Sequence, residues 1–79
     1  MLVYALVNKK NRIYVGMTKN LSKRLIDHNS GRVFSTKGFR PWKVLCYEEC
    51  GDRQNARARE KYLKSGVGKE FLKNKLMPS

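Results

Sequence analysis

The stretch that decides the fold is Leu2-Val3-Tyr4-Ala5-Leu6-Val7, followed by Asn8-Lys9-Lys10-Asn11 and then by Ile13-Tyr14-Val15. Two apolar runs of β-prone residues on either side of turn-forming residues predict an antiparallel hairpin. A loop of about three residues would place Tyr4 directly across from Tyr14 on one face of the sheet. The hairpin therefore predicts two phenol groups that stand side by side.

A helix is predicted directly after this hairpin. Its start is indicated by Thr18 or Asn20, because both residue types cap helices well, and its end by Asn29-Ser30-Gly31. Within this helix Arg24 and His28 are i and i+4 neighbours, so both side chains can point along one stripe.

The remaining elements follow from the same kinds of signal. Arg32 to Pro41 carries cations, Ser, Thr and Gly without periodicity, which indicates an exposed basic loop. Trp42 to Tyr47 is a third strand candidate, and Asp52 can cap a second helix. Gly66 and Gly68 are expected to close that helix, and a short amphipathic helix follows. The predicted order is β-β-α-β-α-α.

Glu60 is the one acidic residue on the predicted apolar face of the second helix. Ala56, Glu60 and Leu63 recur at i, i+4 and i+7, which places a carboxylate on an otherwise apolar face. One interpretation is a surface ion-pair network with the neighbouring cations Arg57, Arg59, Lys61 and Lys64. The other is a ligand for a hard divalent cation such as Mg²⁺, which prefers oxygen donors and keeps several waters.

The charge balance indicates a polyanionic partner. The chain carries 18 Lys and Arg against 6 Asp and Glu, a formal net charge of +12, which repels itself unless a polyanion offsets it. Nucleic acid is favoured over an anionic membrane, because no segment combines a basic face with a broad apolar face. The apolar fraction of 41% is typical of a folded domain and not of a basic tail.

The sequence also bears on compartment and cysteine chemistry. We find no apolar stretch long enough for a membrane span and no signal peptide, so a cytoplasmic protein is expected. Cys46 and Cys50 are the only cysteines, and the single His28 cannot complete a tetrahedral zinc site with them. They are predicted to be free, largely buried thiols.

Tyr4 and Tyr14 have two interpretations. Half-buried aromatic residues are ordinary in strands. Phosphodiester cleavage, however, needs a base that activates water, cations for the transition-state phosphate and commonly a metal for the leaving oxygen. Together with Arg24, His28 and Glu60, the two tyrosines would cover these tasks.

Several spaced positions together resemble the GIY-YIG nuclease family. These positions are Val3-Tyr4, Tyr14-Val15-Gly16, Asn20-Leu21, Arg24, His28 and Glu60. More narrowly, four stretches are similar to small stand-alone bacterial members related to the N-terminal domain of excinuclease C. These are the loop Ser35-Thr36-Lys37-Gly38, Pro41-Trp42-Lys43, the stretch from Arg59 to Lys64 and the stretch from Gly68 to Leu72.

The resemblance covers residues 2 to 76, so a single domain of residues 1–79 is expected, with nothing left for an accessory domain. It implies an α/β fold of the α+β type, a small three-stranded antiparallel sheet flanked by helices.

The resemblance also implies a role for each matching side chain. Tyr4 and Tyr14 would be the signature tyrosines that orient or deprotonate the attacking water. Arg24 would stabilise the phosphate, and His28 would be a proton acceptor or hydrogen-bond partner. Glu60 would hold one Mg²⁺ or Mn²⁺ ion.

Further positions are predicted to contact nucleic acid: Gly16, Lys19, Arg32, Lys37, Arg40 and Asn74. Gly16 would let the substrate approach the backbone, and Asn74 is a looser match to the family's late asparagine. Two positions depart from the pattern, since Leu2 replaces the first motif's glycine and Met17 stands where some relatives have lysine. Lys19 would substitute for that lysine with altered geometry.

Three hypotheses remain open at the level of sequence. The first is an endonuclease that hydrolyses phosphodiester bonds, most naturally in DNA during repair or recombination. The second is a non-catalytic basic module that binds nucleic acid. The third is a nuclease subunit that acts only with a protein partner for targeting. The joint presence of the five candidate catalytic residues favours catalysis, because charge binding alone needs neither tyrosines nor an acid. The sequence does not determine the oligomeric state.

Overall fold

The computed structural model describes residues 1–76. Its strands are β1 (Leu2–Val7), β2 (Ile13–Thr18) and β3 (Lys43–Glu49), and its helices are α1 (Leu21–Ser30), α2 (Arg53–Lys64) and α3 (Gly66–Asn74). A short 3₁₀ helix, Lys37–Phe39, lies in the segment before β3. The strands form one antiparallel sheet in the order β2-β1-β3. The predicted α+β fold with the order β-β-α-β-α-α is confirmed.

The register of the hairpin differs from the prediction. Val7 pairs with Ile13, so the loop runs from Asn8 to Arg12 and is longer than expected. The reason is local, because the Asn8 side chain accepts hydrogen bonds from the backbone N–H groups of Lys10 and Arg12, at 3.0 and 2.9 Å. This side chain stabilises a wider loop than a tight turn would give.

The predicted pairing of Tyr4 with Tyr14 is therefore wrong. Tyr4 lies opposite Gly16, and Tyr14 lies opposite Leu6. The shift is by two positions, which preserves the face of the sheet because side chains alternate with a period of two. Both tyrosines still share one face, as diagonal and not as direct neighbours.

Side-chain caps fix the ends of the first two helices. Asn20 accepts a hydrogen bond from the Lys23 N–H at 3.1 Å, and Asp52 accepts one from the Asn55 N–H at 2.8 Å. Helix α1 ends at Gly31, whose left-handed conformation, with φ of 85°, suits glycine. The predicted boundaries of α1 and the predicted start of α2 are confirmed.

The predicted end of α2 is partly wrong. Helix α2 ends at Lys64, and the Ser65 hydroxyl caps α3 by accepting from the Gly68 N–H at 3.3 Å. Gly66 and Gly68 thus lie in the first turn of α3. A Cβ atom on Gly68 would overlap the Tyr62 carbonyl oxygen, so the close approach of the two helices excludes a side chain there.

The two faces of the sheet pack against different helices. One face packs onto α2 and α3 through Val3, Ala5, Val15, Ala56, Leu63 and Leu72. The other face forms a second core from Tyr4, Leu6 and Trp42, with Leu21 and Leu25 of α1 packed against it. The free thiols of Cys46 and Cys50 are partly buried against the first core. Within residues 1–76, no helix has the length and apolar character needed to cross a bilayer.

Candidate active site

The centre of the candidate site is a buried chain of hydrogen bonds. The Tyr4 hydroxyl lies 2.9 Å from His28 Nε2, and His28 Nδ1 lies 2.8 Å from the Thr36 hydroxyl. That hydroxyl is also 3.4 Å from the Val33 carbonyl, which can only accept. If the Thr36 hydroxyl donates to Val33, it accepts from Nδ1–H. This arrangement favours the tautomer in which Nε2 accepts the Tyr4 proton.

Burial sets the protonation states of this chain. His28 is fully buried, and desolvation together with the nearby Arg24 charge lowers its pKa below the ordinary value of about 6.5. Burial is also the main reason that the pKa of Tyr4 is raised, although the interaction with Arg24 opposes it. At neutral pH the pair is therefore a neutral phenol beside a neutral imidazole.

Arg24 supplies the positive charge of this cluster. It projects from α1 and interacts with the Tyr4 hydroxyl, which is the main reason that the pKa of Arg24 is raised. The guanidinium is therefore positively charged at neutral pH. A fixed cation next to the phenol is suited to a phosphate group.

Tyr14 and Gly16 complete this face of the sheet. The Tyr14 ring centroid lies 4.9 Å from that of His28 and 6.4 Å from that of Tyr4. Across residues 1–76, the Tyr14 hydroxyl makes no side-chain hydrogen bond, so it is available to a substrate or a water. Because Gly16 has no side chain, the Tyr4 and Tyr14 rings can occupy the space beside it.

We predict that Gly16→Ala destabilises the protein and disturbs the site. The new Cβ would stand 2.7 Å from the Tyr4 hydroxyl and 3.1 Å from the Tyr14 ring. Because Tyr4 is packed and hydrogen-bonded, the free energy of unfolding should fall by about 1–3 kcal/mol. Urea unfolding measures this, with Gly38→Ala as control, since a Cβ there meets no atom within 4 Å. Wild-type stability of Gly16→Ala would contradict the packing described.

Glu60 stands apart from this hydrogen-bonded cluster. Its helix α2 packs on the opposite face of the sheet, although its charge reaches Tyr4 and adds to the burial effect that raises the pKa of that phenol. The residue is only 7% exposed, which confirms its predicted inward position. Its carboxylate oxygens lie 3.4 Å from Arg57 and 3.3 Å from Lys64. Direct contacts thus join four of the five candidate residues, whereas Glu60 reaches Tyr4 only through its charge.

The Glu60 carboxylate is compatible with one hard cation. Residues 1–76 contain no group of three or more His, Cys, Asp or Glu side chains that could hold a metal ion. Mg²⁺, however, is commonly bound by one or two carboxylates, with water and substrate phosphates as the other ligands. The contacts of Glu60 with its two cations are longer than the roughly 2.7–2.9 Å that is typical of a tight charge-assisted hydrogen bond. Because one cation lies near each carboxylate oxygen, such an ion would replace at least one of these two contacts.

The predicted nucleic-acid contacts occupy different parts of the surface. Lys19 is exposed between β2 and α1, and Arg32 lies 3.4 Å from Asp27. Lys37 and Arg40 are exposed, and the backbone carbonyl of Lys37 accepts a hydrogen bond from Arg40 Nε at 2.7 Å. Asn74 is the exposed last residue of α3, on the opposite side of the sheet from the tyrosine cluster.

Thr36 and Trp42 are site residues that sequence reasoning missed. Thr36 is buried and holds His28, and its carbonyl accepts a hydrogen bond from Trp42 Nε1 at 3.0 Å. Trp42 in turn packs against Tyr14, with 6.4 Å between the ring centroids. Both residues lie in stretches that carry the family resemblance, but the resemblance assigned neither of them a role, and no periodicity links this loop to His28.

Comparison with known proteins fits this geometry. The family model described as the GIY-YIG catalytic domain matches residues 1–75, so the chain belongs to the GIY-YIG family. It is accordingly a nuclease domain, which hydrolyses phosphodiester bonds.

Two curated relatives are similar to this chain. The UPF0213 protein CPE1444 of Clostridium perfringens is 38% identical over 63 residues, which cover 78% of this chain and 68% of the relative. The structure-specific endonuclease subunit slx1 of Schizosaccharomyces japonicus is 40% identical over 50 residues, or 56% of this chain and 18% of the relative. No solved structure matches the chain with statistical significance.

Proposed function

We propose that this chain is a metal-dependent endonuclease that cuts DNA in a repair or recombination context. The observation that carries the proposal is the buried hydrogen bond of 2.9 Å between the Tyr4 hydroxyl and the neutral His28, with the Arg24 charge beside it. A basic module that binds nucleic acid through charge alone needs no such chain, because phosphate binding depends on exposed cations.

The Tyr4–His28 pair supports general-base catalysis. The attacking water would give its proton to the Tyr4 oxygen while the Tyr4 hydroxyl passes its own proton to His28 Nε2. This coupled transfer avoids a free phenolate, which burial disfavours by raising the pKa of Tyr4. It forms a His28 imidazolium in its place, and because burial and Arg24 lower the pKa of His28, that cation would release its proton readily after the step. The Thr36 hydroxyl keeps Nδ1 protonated, so Nε2 remains the accepting atom.

The other residues act on the phosphate. Arg24 would stabilise the negative charge that develops on the phosphoryl oxygens in the transition state. The Tyr14 hydroxyl would orient the water or the scissile phosphate. Glu60 would hold one Mg²⁺ or Mn²⁺ ion, which supplies Lewis-acid stabilisation of the leaving oxygen when bound.

A second candidate is a nuclease subunit that needs a targeting partner. This alternative is supported by the similarity to slx1, which is described as a subunit of a structure-specific endonuclease. In this case the isolated chain would bind DNA and cut it slowly, and the partner would raise the rate and select the substrate.

A cleavage panel tests the proposal. Single-stranded, duplex, flapped and branched DNA, together with RNA, would each be incubated with the full chain in Mg²⁺, Mn²⁺ or chelator. We expect metal-dependent internal cuts in at least one DNA substrate. No cleavage in either metal would reject an endonuclease that acts alone, and equal cleavage in chelator would reject metal dependence.

We also predict that DNA binding weakens steeply with salt. Each neutralised phosphate contributes a slope of about −0.9 in log K against log salt for duplex DNA. Replacing Arg32, Lys37 and Arg40 together by Ala should reduce the magnitude of that slope by up to about 0.9 for each phosphate that is no longer neutralised, without selecting a new sequence. Fluorescence anisotropy across a salt series in chelator measures the slope.

The matched control carries the same change of charge on other parts of the surface: Arg53, Lys61 and Lys75, each replaced by Ala. We expect a smaller change of slope in this control. Equal changes in both triple variants would mean that only net charge matters, and a flat affinity in the wild type would contradict phosphate-dominated binding.

A further inference from the structure

The loop of residues 32–40, which we name the aromatic loop, exposes two phenylalanine rings among cations. Phe34 is 83% exposed and Phe39 is 39% exposed. The Lys37 ammonium lies 4.8 Å from the Phe34 ring centroid, and the Arg12 guanidinium lies 4.1 Å from that of Phe39. Each exposed ring therefore already has a cation within cation–π distance.

Charge indicates what this loop contacts. The segment from His28 to Lys43 contains no Asp or Glu, and it carries Arg32, Lys37, Arg40 and Lys43. A protein partner that bound this surface would need an unusually acidic face. A nucleic acid supplies both an anionic backbone and aromatic bases. Cations alternating with exposed aromatic rings are the arrangement that binds single-stranded nucleic acid, because bases stack on the rings while the cations follow the phosphates.

The aromatic loop is also fixed in position. Thr36, at its centre, is buried and hydrogen-bonded to His28, and Trp42 Nε1 donates to the Thr36 carbonyl. The Asn8 side chain donates to the Phe39 carbonyl at 3.1 Å, which connects the loop to the hairpin. Rings on a pre-ordered backbone lose little conformational entropy when a base stacks on them. The same bonds join the loop to the Tyr4–His28 pair.

We infer that the aromatic loop binds unpaired nucleotides by stacking, so that the enzyme selects DNA with a single-stranded part next to a duplex. This inference rests on the proposed nuclease function and specifies its substrate class. Fully paired bases hide their faces inside the duplex, so only flaps, tails and open branches can use the rings. The cations at the loop would bind phosphates in either case, and the difference between substrates comes from Phe34 and Phe39.

The experiment compares three DNAs of the same duplex sequence in chelator: a blunt duplex, one with an unpaired tail, and one whose tail consists of abasic sites. The abasic tail keeps every phosphate and lacks the bases. We expect the wild-type full chain to bind the normal tail more tightly than the abasic tail. Phe34→Ala should weaken binding of the normal tail about tenfold and remove its advantage over the abasic tail. Phe34→Trp should retain that advantage, because an aromatic face is kept.

Phe71→Ala is the matched control. Phe71 is 40% exposed on α3, and its ring lies 4.9 Å from the Lys75 ammonium, so it has the same local chemistry in another place. This variant should keep the preference for the normal tail. The inference is overturned if Phe34→Ala weakens binding of the normal and abasic tails equally. It is also overturned if Phe34→Ala changes the affinity for neither tail, in which case the exposed rings would suit a protein partner.

Cleavage in Mg²⁺ by the wild type separates this inference from the proposed function. A tail preference that depends on Phe34, together with no cleavage of any DNA, supports the aromatic loop and rejects the nuclease acting alone. Metal-dependent cleavage with equal affinity for normal and abasic tails overturns the aromatic loop and supports the nuclease.

Discussion

Replacing Tyr4 by Phe is expected to lower the rate of DNA cleavage by about 10²- to 10⁴-fold, the usual contribution of a positioned acid or base. The substitution removes the oxygen that is hydrogen-bonded to His28 at 2.9 Å and leaves the ring in place. The water then has no acceptor, and His28 Nε2 is left buried without its partner. The free energy of unfolding should fall by about 1–3 kcal/mol, the cost of one unsatisfied buried polar group.

The control for this prediction is Tyr47→Phe. Tyr47 pairs with Tyr4 across β1 and β3 and is 62% exposed, so the same atom is removed nearby without breaking the buried chain. Single-turnover cleavage and urea unfolding, measured on both variants, separate the two roles. If Tyr4→Phe cuts DNA at the wild-type rate, whatever its stability, Tyr4 does not accept the proton of the attacking water.

The pH dependence of the wild type tests the same relay. His28 must be neutral to accept a proton, and burial lowers its pKa below the ordinary value of about 6.5. The midpoint of the acid-side fall in cleavage rate should therefore lie below about pH 6.5. A midpoint at or above the ordinary histidine pKa would contradict a buried, neutral His28.

Sequence patterns predicted those parts of the fold that depend on local chemistry. Asn20 and Asp52 were identifiable as helix caps because a cap bonds to a backbone N–H in its own first turn. The face shared by Tyr4 and Tyr14 was predictable from the alternation of a strand. The register of the two strands was not predictable, because several loop lengths suit the same residues. The Asn8 side chain sets the length of the loop that forms.

The parts that depend on tertiary packing could not be predicted from the sequence. The bond from His28 to Thr36 joins a helix to an irregular loop, and no periodicity relates them. The burial of Glu60 followed from helical spacing, but its position relative to the tyrosines depends on which face of the sheet α2 covers. Gly68 looked like a helix terminator, whereas it is required by the close approach of α2 and α3.

Glu60→Gln is the second prediction with a large expected effect on catalysis. If Glu60 holds the metal, the neutral amide loses the charge that attracts the cation, and cleavage should fall by about 10³-fold or more, since metal stabilisation is worth several kcal/mol. If Glu60 only pairs with Arg57 and Lys64, which are both largely exposed, the loss should be under about 1 kcal/mol of stability, with cleavage unchanged.

Binding without metal gives a second, independent readout. DNA affinity in chelator should persist or increase in Glu60→Gln, because one negative charge near the bound phosphates is removed. Glu70→Gln is the control with the same change of charge, since Glu70 is exposed on α3 and lies 3.8 Å from Lys73. A folded Glu60→Gln variant that loses binding in chelator would instead show that the carboxylate organises the DNA surface.

The most direct test of the whole account is a time course of cleavage of one branched DNA by wild type and Glu60→Gln, in Mg²⁺ and in chelator, at matched DNA occupancy. We predict cuts by the wild type in Mg²⁺ alone and almost none by the variant in either condition, although both proteins are folded and bind the DNA. Unimpaired cleavage by Glu60→Gln in Mg²⁺ would contradict the metal role of Glu60.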